Sequence, residues 1–231
     1  MVPIKTLAPI ISFSFDDVPR AALNTGGRIL AVHGIKATYY VSLGLLGSET
    51  EVGTIASPDD LSQALREGHE LGCHTFDHLD AWETPTEKFL ESVVKNQQAL
   101  SKIIPGAIFK TFAYPKSGAK LAIKPHLQKY FTCCRGGGQT ANVGETDLNL
   151  LRACFLDQRT KIDMDFVRNL IDYSTSRHGW LIFATHDVTD NPSTYGVTPD
   201  FFADVVEYAA SSGALLVPVA EAAEKLQPML G

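Results

Sequence analysis

The order of apolar and polar positions along the chain gives the first prediction of its fold. Short apolar runs alternate with longer amphipathic segments along the whole sequence. Short runs rich in β-branched and aromatic residues are typical of buried strands, and amphipathic segments are typical of helices. The predicted strands are residues 9–15, 37–41, 69–73, 108–113, 130–134, 148–155, 180–185 and 214–217.

Several polar clusters mark where the intervening helices should begin. Ser57-Pro58-Asp59-Asp60 offers a capping serine, a proline at the first helical position and acid in the first turn. Thr84-Pro85-Thr86-Glu87 predicts a capping box that opens a long helix ending near Ile104. Thr198-Pro199-Asp200 predicts another helix start, and Gly34 is placed to end the first helix.

Strands that alternate with helices predict parallel pairing with helical crossovers. No linker, repeat or low-complexity tract interrupts the alternation, so we expect a single domain over residues 1–231. Seven or eight such units predict a distorted (β/α) barrel of about seven parallel strands with outer helices. The alternative is a doubly wound α/β sheet. Polar candidate residues follow four of the strands (9–15, 69–73, 108–113 and 180–185), and barrel active sites lie at that face, which favours the barrel.

Composition narrows the class of protein. The net charge of −6 argues against non-specific nucleic-acid binding, which depends on surplus lysine and arginine. The four cysteines (Cys73, Cys133, Cys134 and Cys154) lack the spacing of a zinc site or disulfide scaffold, so we expect buried thiols. The segment 1–5 does not resemble a secretory signal, and no apolar run is long enough to span a membrane. These features predict a cytoplasmic protein and leave its oligomeric state open.

Residues able to bind a metal and transfer protons follow three of the strands. Asp16 and Asp17 end the first strand, His74 and His78 follow the third, and His186 ends the strand at 180–185. One carboxylate with two imidazoles would make a three-ligand site that leaves a position for water or substrate. The alternative is a plain turn at the two aspartates and two hydrogen-bonded histidines.

Asp77 lies between the two histidines of the His-x-x-x-His pair. It could orient an imidazole from outside the ligand set, act as a ligand itself, or be a solvated turn residue. We favour the turn residue, because an exposed aspartate between two loop histidines needs no metal to explain it.

Four segments resemble the motifs of the polysaccharide deacetylases (the NodB homology domain), a family that includes the chitooligosaccharide deacetylases. They are Ser14-Phe15-Asp16-Asp17, His74-Thr75-Phe76-Asp77-His78, Phe112-Ala113-Tyr114-Pro115 and the apolar strand Leu181-Ile182-Phe183-Ala184-Thr185 ending in His186. The order and spacing of the motifs resemble those of the family from about residue 10 to residue 225.

The resemblance implies a distorted β/α barrel and a hydrolase that removes acetyl groups, mostly from N-acetylglucosamine units. It implies that Asp17, His74 and His78 bind one divalent metal ion, with zinc favoured over cobalt, nickel or manganese. The implied partner is an N-acetylated saccharide substrate, with no nucleic acid and no membrane span.

The resemblance also implies roles for three further residues. Asp16 would be the general base that takes a proton from the attacking water. His186 would be the acid that protonates the leaving amine. The backbone N–H of Tyr114 would stabilise the oxyanion.

The sequence departs from the family pattern in its details. Val18 stands where a glycine commonly follows the two aspartates, and Ala113 stands where an arginine commonly steadies the catalytic aspartate. Arg135 or Arg152 could take the place of that arginine. Asp157 is a weak candidate for the acid of a fourth motif. Lys116, after the third motif, is expected to face the cleft and to favour an anionic substrate, unless it is simply a solvated lysine.

These departures keep two alternatives to a sugar deacetylase open. One is hydrolysis of a non-sugar amide, such as a cyclic imide or ureide, on the same scaffold. The other is a carbohydrate-binding pseudoenzyme. Trp82 is expected to pack against the protein rather than to bind sugar.

Overall fold

The computed structural model describes residues 1–4 and 6–226 of the chain. The strands are β1 (Val2–Ile4), β2 (Ile10–Asp16), β3 (Thr38–Val41), β4 (Glu49–Thr50), β5 (Gly53–Thr54), β6 (Glu70–Cys73), β7 (Thr111–Ala113), β8 (Cys133–Arg135), β9 (Gly144–Thr146), β10 (Cys154–Phe155), β11 (Trp180–Thr185) and β12 (Leu215–Leu216). The helices are α1 (Gly27–Val32), α2 (Pro58–Arg66), α3 (Thr86–Ile103), α4 (Lys124–Leu127), α5 (Met164–Thr175), α6 (Pro199–Ser211) and α7 (Val219–Leu226). None of the described helices is both long and apolar enough to cross a membrane.

The central sheet is parallel and curls into a distorted barrel. Its strands follow the order β10-β11-β2-β3-β6-β7-β8, and β12 pairs with β2 off this path. A parallel bridge between Arg135 at the end of β8 and Leu151 just before β10 brings the two edges of the sheet together. The prediction of a (β/α) barrel is therefore confirmed over the doubly wound alternative.

Strand β2 is an inner strand of the sheet and is buried along its whole length. It pairs with β11 over six positions, whereas β12 pairs with its first two residues and β3 with its last three. The rings of Phe13 and Phe183 on these neighbouring strands stack with centroids 5.5 Å apart, and Phe202 of α6 packs edge-on against Phe13. Ser12 and Ser14 interrupt the apolar residues of this strand and are buried as well. Each has a hydrogen-bond partner: Ser12 accepts from the Trp180 indole N–H, and Ser14 donates to the Phe183 oxygen.

Three predicted strands are longer in the sequence than in the structure. The two ends of the run at 148–155 have different partners. Its first residue, Leu148, accepts from the N–H of Cys134 in β8, and its last two residues form β10, which pairs with β11. The prediction at 108–113 is shortened to β7 because Ile108 is an exposed loop residue, and the run at 130–134 is shortened to β8. The antiparallel pair of β1 and β9 was not predicted, since both strands are only three residues long.

The predicted helix starts are partly confirmed. The Ser57 hydroxyl accepts from the Asp60 N–H, and the Asp60 carboxylate accepts from the Ser57 N–H, so α2 begins with a capping box. The capping box predicted at residues 84–87 is wrong, because Pro85 occupies the N-cap position of α3 with extended backbone angles and no side-chain cap is made. The four cysteines are all buried and free, as predicted.

Glu70 ties the amino-terminal end of the barrel to helix α7. Its carboxylate accepts hydrogen bonds from the hydroxyls of Thr38 (2.7 Å) and Thr111 (2.5 Å) and from the N–H of Ala220 (2.8 Å). The Val219 N–H donates to the Thr38 hydroxyl at 2.9 Å. Burial raises the pKa of Glu70 above 4.5 despite these donors.

We expect this carboxyl to make folding stability depend on pH. Because the pKa of Glu70 is raised in the folded state, the contribution of its carboxyl group to folding stability is complete below pH 4.5. This contribution is lost as the pH rises through the folded-state pKa. The Glu70→Gln variant cannot titrate, so its stability relative to the native protein should increase between about pH 4 and about pH 8. Urea unfolding across this range measures the difference, with Glu145→Gln on exposed β9 as the matched control. A stability difference that does not change with pH would contradict the prediction.

Candidate active site

A cavity of about 330 Å³ opens at the carboxyl ends of the barrel strands. Five of the six predicted site residues line it, namely Asp16, Asp17, His74, His78 and His186. Asp16 ends β2, His74 and His78 follow β6, and His186 follows β11, so the parallel topology brings residues distant in sequence to one face of the barrel.

Asp17, His74 and His78 form the only cluster suited to a metal that we find in the described part of the chain. One ligand atom from each lies within 4.8 Å of the other two. The Nε2 atoms of His78 and His74 are 3.4 and 4.0 Å from Asp17 Oδ1. Nδ1 of His74 lies 2.7 Å from the Ala113 carbonyl oxygen, which places the proton on Nδ1 and leaves Nε2 free to bind a cation.

The donors in this cluster fit a divalent cation. Asp17 Oδ1 is buried and accepts no hydrogen bond from any described residue, and such an unsatisfied oxygen is costly unless a cation meets it. Burial lowers the pKa of His74 to about 4, so its imidazole is neutral, which is the form that binds metals. The residues present therefore match the two-imidazole, one-carboxylate set that suits zinc and similar metals.

A tight turn after β2 directs the two aspartates to different partners. The Val18 N–H donates to the Asp16 oxygen at 2.6 Å, and both Asp17 and Val18 have φ of 59°. That left-handed conformation is unfavourable for a β-branched residue and explains why a glycine would suit position 18. Strained backbone of this kind concentrates at functional sites.

Asp16 is held by Arg135 rather than by an arginine at position 113, where Ala113 stands. The Arg135 guanidinium donates to Asp16 Oδ1 and to the Gly136 oxygen, and it lies over the rings of Tyr40 and Phe155. Both members of the ion pair are buried, and Arg135 is 0 % exposed. Burial alone would raise the pKa of Asp16, but the positive charge of Arg135 lowers it below 3.8.

The alternative arginine does not reach Asp16. Arg152 lies on the surface and lines a neighbouring cavity. Of the two arginines considered from the sequence, only Arg135 therefore takes the place of the arginine that the family commonly has at position 113. Arg135 lies on the adjacent strand β8, which pairs with β7.

His186 is oriented by a backbone carbonyl. Its Nδ1 lies 3.2 Å from the oxygen of Tyr195, which leaves Nε2 available for a substrate group. The neighbouring Asp187 is not its partner: this carboxylate accepts from the Ser193 N–H at 2.7 Å and the Ser193 hydroxyl at 2.5 Å. Asp187 thereby shapes the loop that presents the Tyr195 oxygen.

The role predicted for the Tyr114 N–H does not agree with the structure. This N–H donates to the Arg135 oxygen at 2.9 Å in the β7–β8 pairing, and Tyr114 is buried outside the cavity. Its hydroxyl donates to the Asn149 oxygen at 3.2 Å. Lys116 instead lines the cavity, in the turn Pro115–Ser117, where its backbone adopts the left-handed conformation with φ of 55°.

The remaining acidic candidates have other partners. Asp77 accepts from the Ser92 hydroxyl at 2.9 Å and pairs with Lys95 at 3.3 Å, so it ties the histidine loop to α3. Asp157 accepts from Arg159 at 2.5 Å and from the Thr160 N–H at 3.0 Å. These contacts place Asp77 outside the metal cluster and give Asp157 a role in its own loop.

The charge of Lys116 is already compensated. Its ammonium nitrogen lies 3.7 Å from Asp80 and 3.6 Å from Glu83, so an anionic substrate would compete with two carboxylates. This arrangement weakens the expectation of a preference for anions.

Glu51, Arg159 and Tyr195 also line the cavity, although no sequence motif points to them. Glu51 lies in the turn between β4 and β5, and the other two lie in loops after β10 and β11. The Arg159 guanidinium lies 4.4 Å from the centre of the Tyr195 ring. None of the three belongs to a motif, so the sequence carries no local signal for them.

Residues 4–130 match the sequence model of the polysaccharide deacetylase family. The peptidoglycan-N-acetylglucosamine deacetylase PgdA of Listeria monocytogenes is 32% identical over 91 residues, which are 39% of this chain and 18% of PgdA. A gellan lyase from a Bacillus species is 28% identical over 125 residues, which are 54% of this chain and 5% of the lyase. The chain thus spans only a small part of the curated relatives that it matches.

Solved structures share the fold across nearly the whole chain. The chitin deacetylase of Colletotrichum lindemuthianum has a TM-score of 0.65 at 17% identity, with 96% of this chain and 90% of that chain covered. An acetyl xylan esterase from Clostridium thermocellum, solved with a cobalt ion, has a TM-score of 0.65 at 19% identity, with 92% and 89% covered. The peptidoglycan deacetylase PdaC of Bacillus subtilis has a TM-score of 0.62 at 17% identity, with 97% and 94% covered.

Proposed function

The chain belongs to the polysaccharide deacetylase family, a family of hydrolases, and we propose that it is a metal-dependent enzyme that removes acetyl groups from an N-acetylated saccharide. The observation that carries this proposal is the cavity in which the Asp17, His74 and His78 cluster lies beside Asp16 and His186. A pseudoenzyme would not need this complete set of metal-binding and proton-transfer groups.

The names of the similar proteins support an acetylated polysaccharide as the substrate class. PgdA is named for N-acetylglucosamine in peptidoglycan, and the structural neighbours include a chitin deacetylase and an acetyl xylan esterase. The deacetylases cleave an amide and the esterase cleaves an ester, so the shared feature is the acetyl group on a sugar polymer. We therefore place this chain with enzymes that cleave at a sugar-linked acetyl carbonyl.

Asp17, His74 and His78 would hold the divalent cation. When bound, the cation would act as a Lewis acid on the acyl oxygen and on water. The protein's own contribution is the fixed geometry: the Ala113 carbonyl orients His74, and the turn at Val18 holds Asp17 toward the two imidazoles. Zinc fits this ligand set best, and cobalt, nickel and manganese are the alternatives.

Asp16 would act as the general base. Arg135 keeps its carboxylate ionised in a buried environment, so it is ready to accept a proton from the attacking water. His186 would act as the general acid, with Nδ1 held by the Tyr195 oxygen and Nε2 directed to the leaving amine. The Lys116 N–H would donate to the oxyanion instead of the Tyr114 N–H, because Lys116 lines the cavity and Tyr114 does not.

An acetate-release screen tests the proposed function. The zinc-loaded protein would be incubated with N-acetylglucosamine, its oligomers, a nucleotide-linked N-acetyl sugar and a cyclic ureide. We expect acetate from the N-acetyl sugars and no ring opening of the ureide. The Asp16→Asn variant, purified in the same way, controls for a contaminating deacetylase. Ureide hydrolysis without acetate release would contradict the proposal and support the non-sugar amide alternative.

Substitution of His186 tests its assignment as the acid. We expect His186→Ala to retain its metal and to lose about 10²-fold in rate on an N-acetyl sugar, because an amine leaving group needs a proton. The loss should be much smaller on an aryl acetate, whose phenolate leaves without one. The ratio of the two rates separates a lost acid from a damaged site, and equal losses on both substrates would contradict the assignment.

A further inference from the structure

A second cavity adjoins the candidate active site at the same end of the barrel. It measures about 550 Å³, within the range of ligand-binding sites, and Trp82, Ser117, Gly137, Gly138, Asp147 and Arg152 are among its lining residues. Ser117 lines both this cavity and the catalytic one. The two cavities therefore lie side by side at the turn after β7.

Trp82 is the most unusual residue of this second cavity. Its ring packs against Gly118, as the sequence-based expectation has it, but the residue is still 64% exposed, although burial of an indole ring is strongly favourable. The only other tryptophan, Trp180, is fully buried, and its indole N–H donates to the Ser12 hydroxyl at 3.0 Å.

The segment that carries Trp82 is held in place. The Trp82 N–H donates to Asp80 at 2.8 Å, and Lys116 pairs with both Asp80 and Glu83. A Cβ atom at Gly118 would lie 2.7 Å from Cδ1 of the indole, so only glycine at this position lets the ring lie where it does. The exposed ring thus rests on Gly118 beside the candidate active site.

The chemistry of the second cavity matches a sugar ring. A pyranose presents C–H groups on its face and hydroxyls around its edge. The face of an indole is apolar with negative charge density, which suits the C–H groups. Arg152 and the Ser117 hydroxyl line the same cavity and can exchange hydrogen bonds with sugar hydroxyls, whereas Asp147 is already paired with Lys124 and accepts from the Asn149 N–H.

We propose that Trp82 is a platform for a sugar unit next to the one that is deacetylated, so that the enzyme prefers oligosaccharides to monosaccharides. This inference rests on the proposed function for its substrate class. It adds a binding subsite, formed by the cavity that contains Trp82, and a reason for chain-length preference.

Kinetics on substrates of two lengths test the subsite. We expect the ratio of kcat/KM on an N-acetylglucosamine tetramer to that on the monomer to fall about tenfold in Trp82→Ala, the size of one aromatic contact. Trp82→Phe should restore most of the ratio. Tyr130→Ala removes an exposed aromatic side chain that lines neither cavity and is the matched control. An unchanged ratio in Trp82→Ala would overturn the proposal.

Tryptophan fluorescence gives a readout that does not depend on turnover. Because Trp180 is buried, the tetramer should change the emission of Trp82 alone. The titration would use the metal-loaded Asp16→Asn protein, in which hydrolysis is slow, and the same protein carrying Trp82→Phe should give no change. No change in the Trp82-containing protein would count against the subsite.

Together the two measurements distinguish the two proposals. Acetate release that is equally fast from monomer and tetramer in native protein and in Trp82→Ala would overturn the subsite and leave the proposed function intact. A fluorescence response to the tetramer without acetate release from any N-acetyl sugar would support the subsite and overturn the proposed function.

Discussion

Asp16→Asn should lower kcat on an N-acetyl sugar roughly 10²–10⁴-fold, the usual contribution of general acid–base catalysis, while the protein keeps its metal. The amide can still accept the hydrogen bond from Arg135, but it cannot take a proton from water. Because Asp17, His74 and His78 are unchanged, metal content should stay the same. Steady-state kinetics and elemental analysis on one preparation check both parts.

Stability must be separated from chemistry in this test. Asp16 and Arg135 are a buried ion pair, and loss of one charge from such a pair typically costs about 3–5 kcal/mol of folding free energy. The double variant Asp16→Asn with Arg135→Met removes the unpaired cation and should recover part of the thermal stability without activity. If Asp16→Asn is as active as the native protein, Asp16 is not the base. Loss of activity together with loss of metal would also contradict the assignment.

His78→Ala should lose most of its bound metal and, with it, most of its deacetylase activity. Among the residues that the structure describes, three side chains form this cluster, so removal of one leaves a carboxylate and a single imidazole. We expect metal affinity to fall by at least about 10²-fold. Loss of a residue that only hydrogen-bonds to a ligand already lowers metal affinity by up to about 10²-fold, and loss of a ligand should cost at least as much. His78 is the preferred ligand to replace because it is partly exposed, whereas His74 is buried and bonded to the backbone.

The matched control for this variant is His126→Ala, which removes an exposed histidine on α4. Metal content by elemental analysis, metal titration and circular dichroism should separate loss of the ligand from loss of the fold. Unchanged zinc content in His78→Ala, or an equal loss in His126→Ala, would contradict the assignment of the cluster.

The cation that pairs with Asp16 comes from a different strand than the family pattern predicts. The family arginine would come from the segment that holds Ala113, whereas here the cation comes from Arg135 on the next strand. Ala113 and Arg135 are register partners in the β7–β8 ladder, so the exchange moves the cation by one strand across the barrel. A buried aspartate at this position needs a cation close by, and either strand can supply it.

The sequence by itself determined the class of the fold and most of the cavity's chemistry. The alternation of strands and helices is a local pattern, and the apolar strand at 180–185 has the same bounds in the structure as in the sequence. Asp16, Asp17, His74, His78 and His186 could be selected because each lies at the end of a strand or in the loop that follows it, and the ends of parallel strands meet at one face. Topology alone therefore brings these residues together.

Only the tertiary structure decided the partners of those residues. Whether Arg135 or Arg152 holds Asp16, and whether the Tyr114 N–H is free, depend on how β7, β8 and the segment before β10 pair. The same holds for the Tyr195 carbonyl at His186, because a loop carbonyl has no sequence signature. Hydrogen bonds between distant segments depend on strand register and loop geometry, and no local pattern of residues specifies either one.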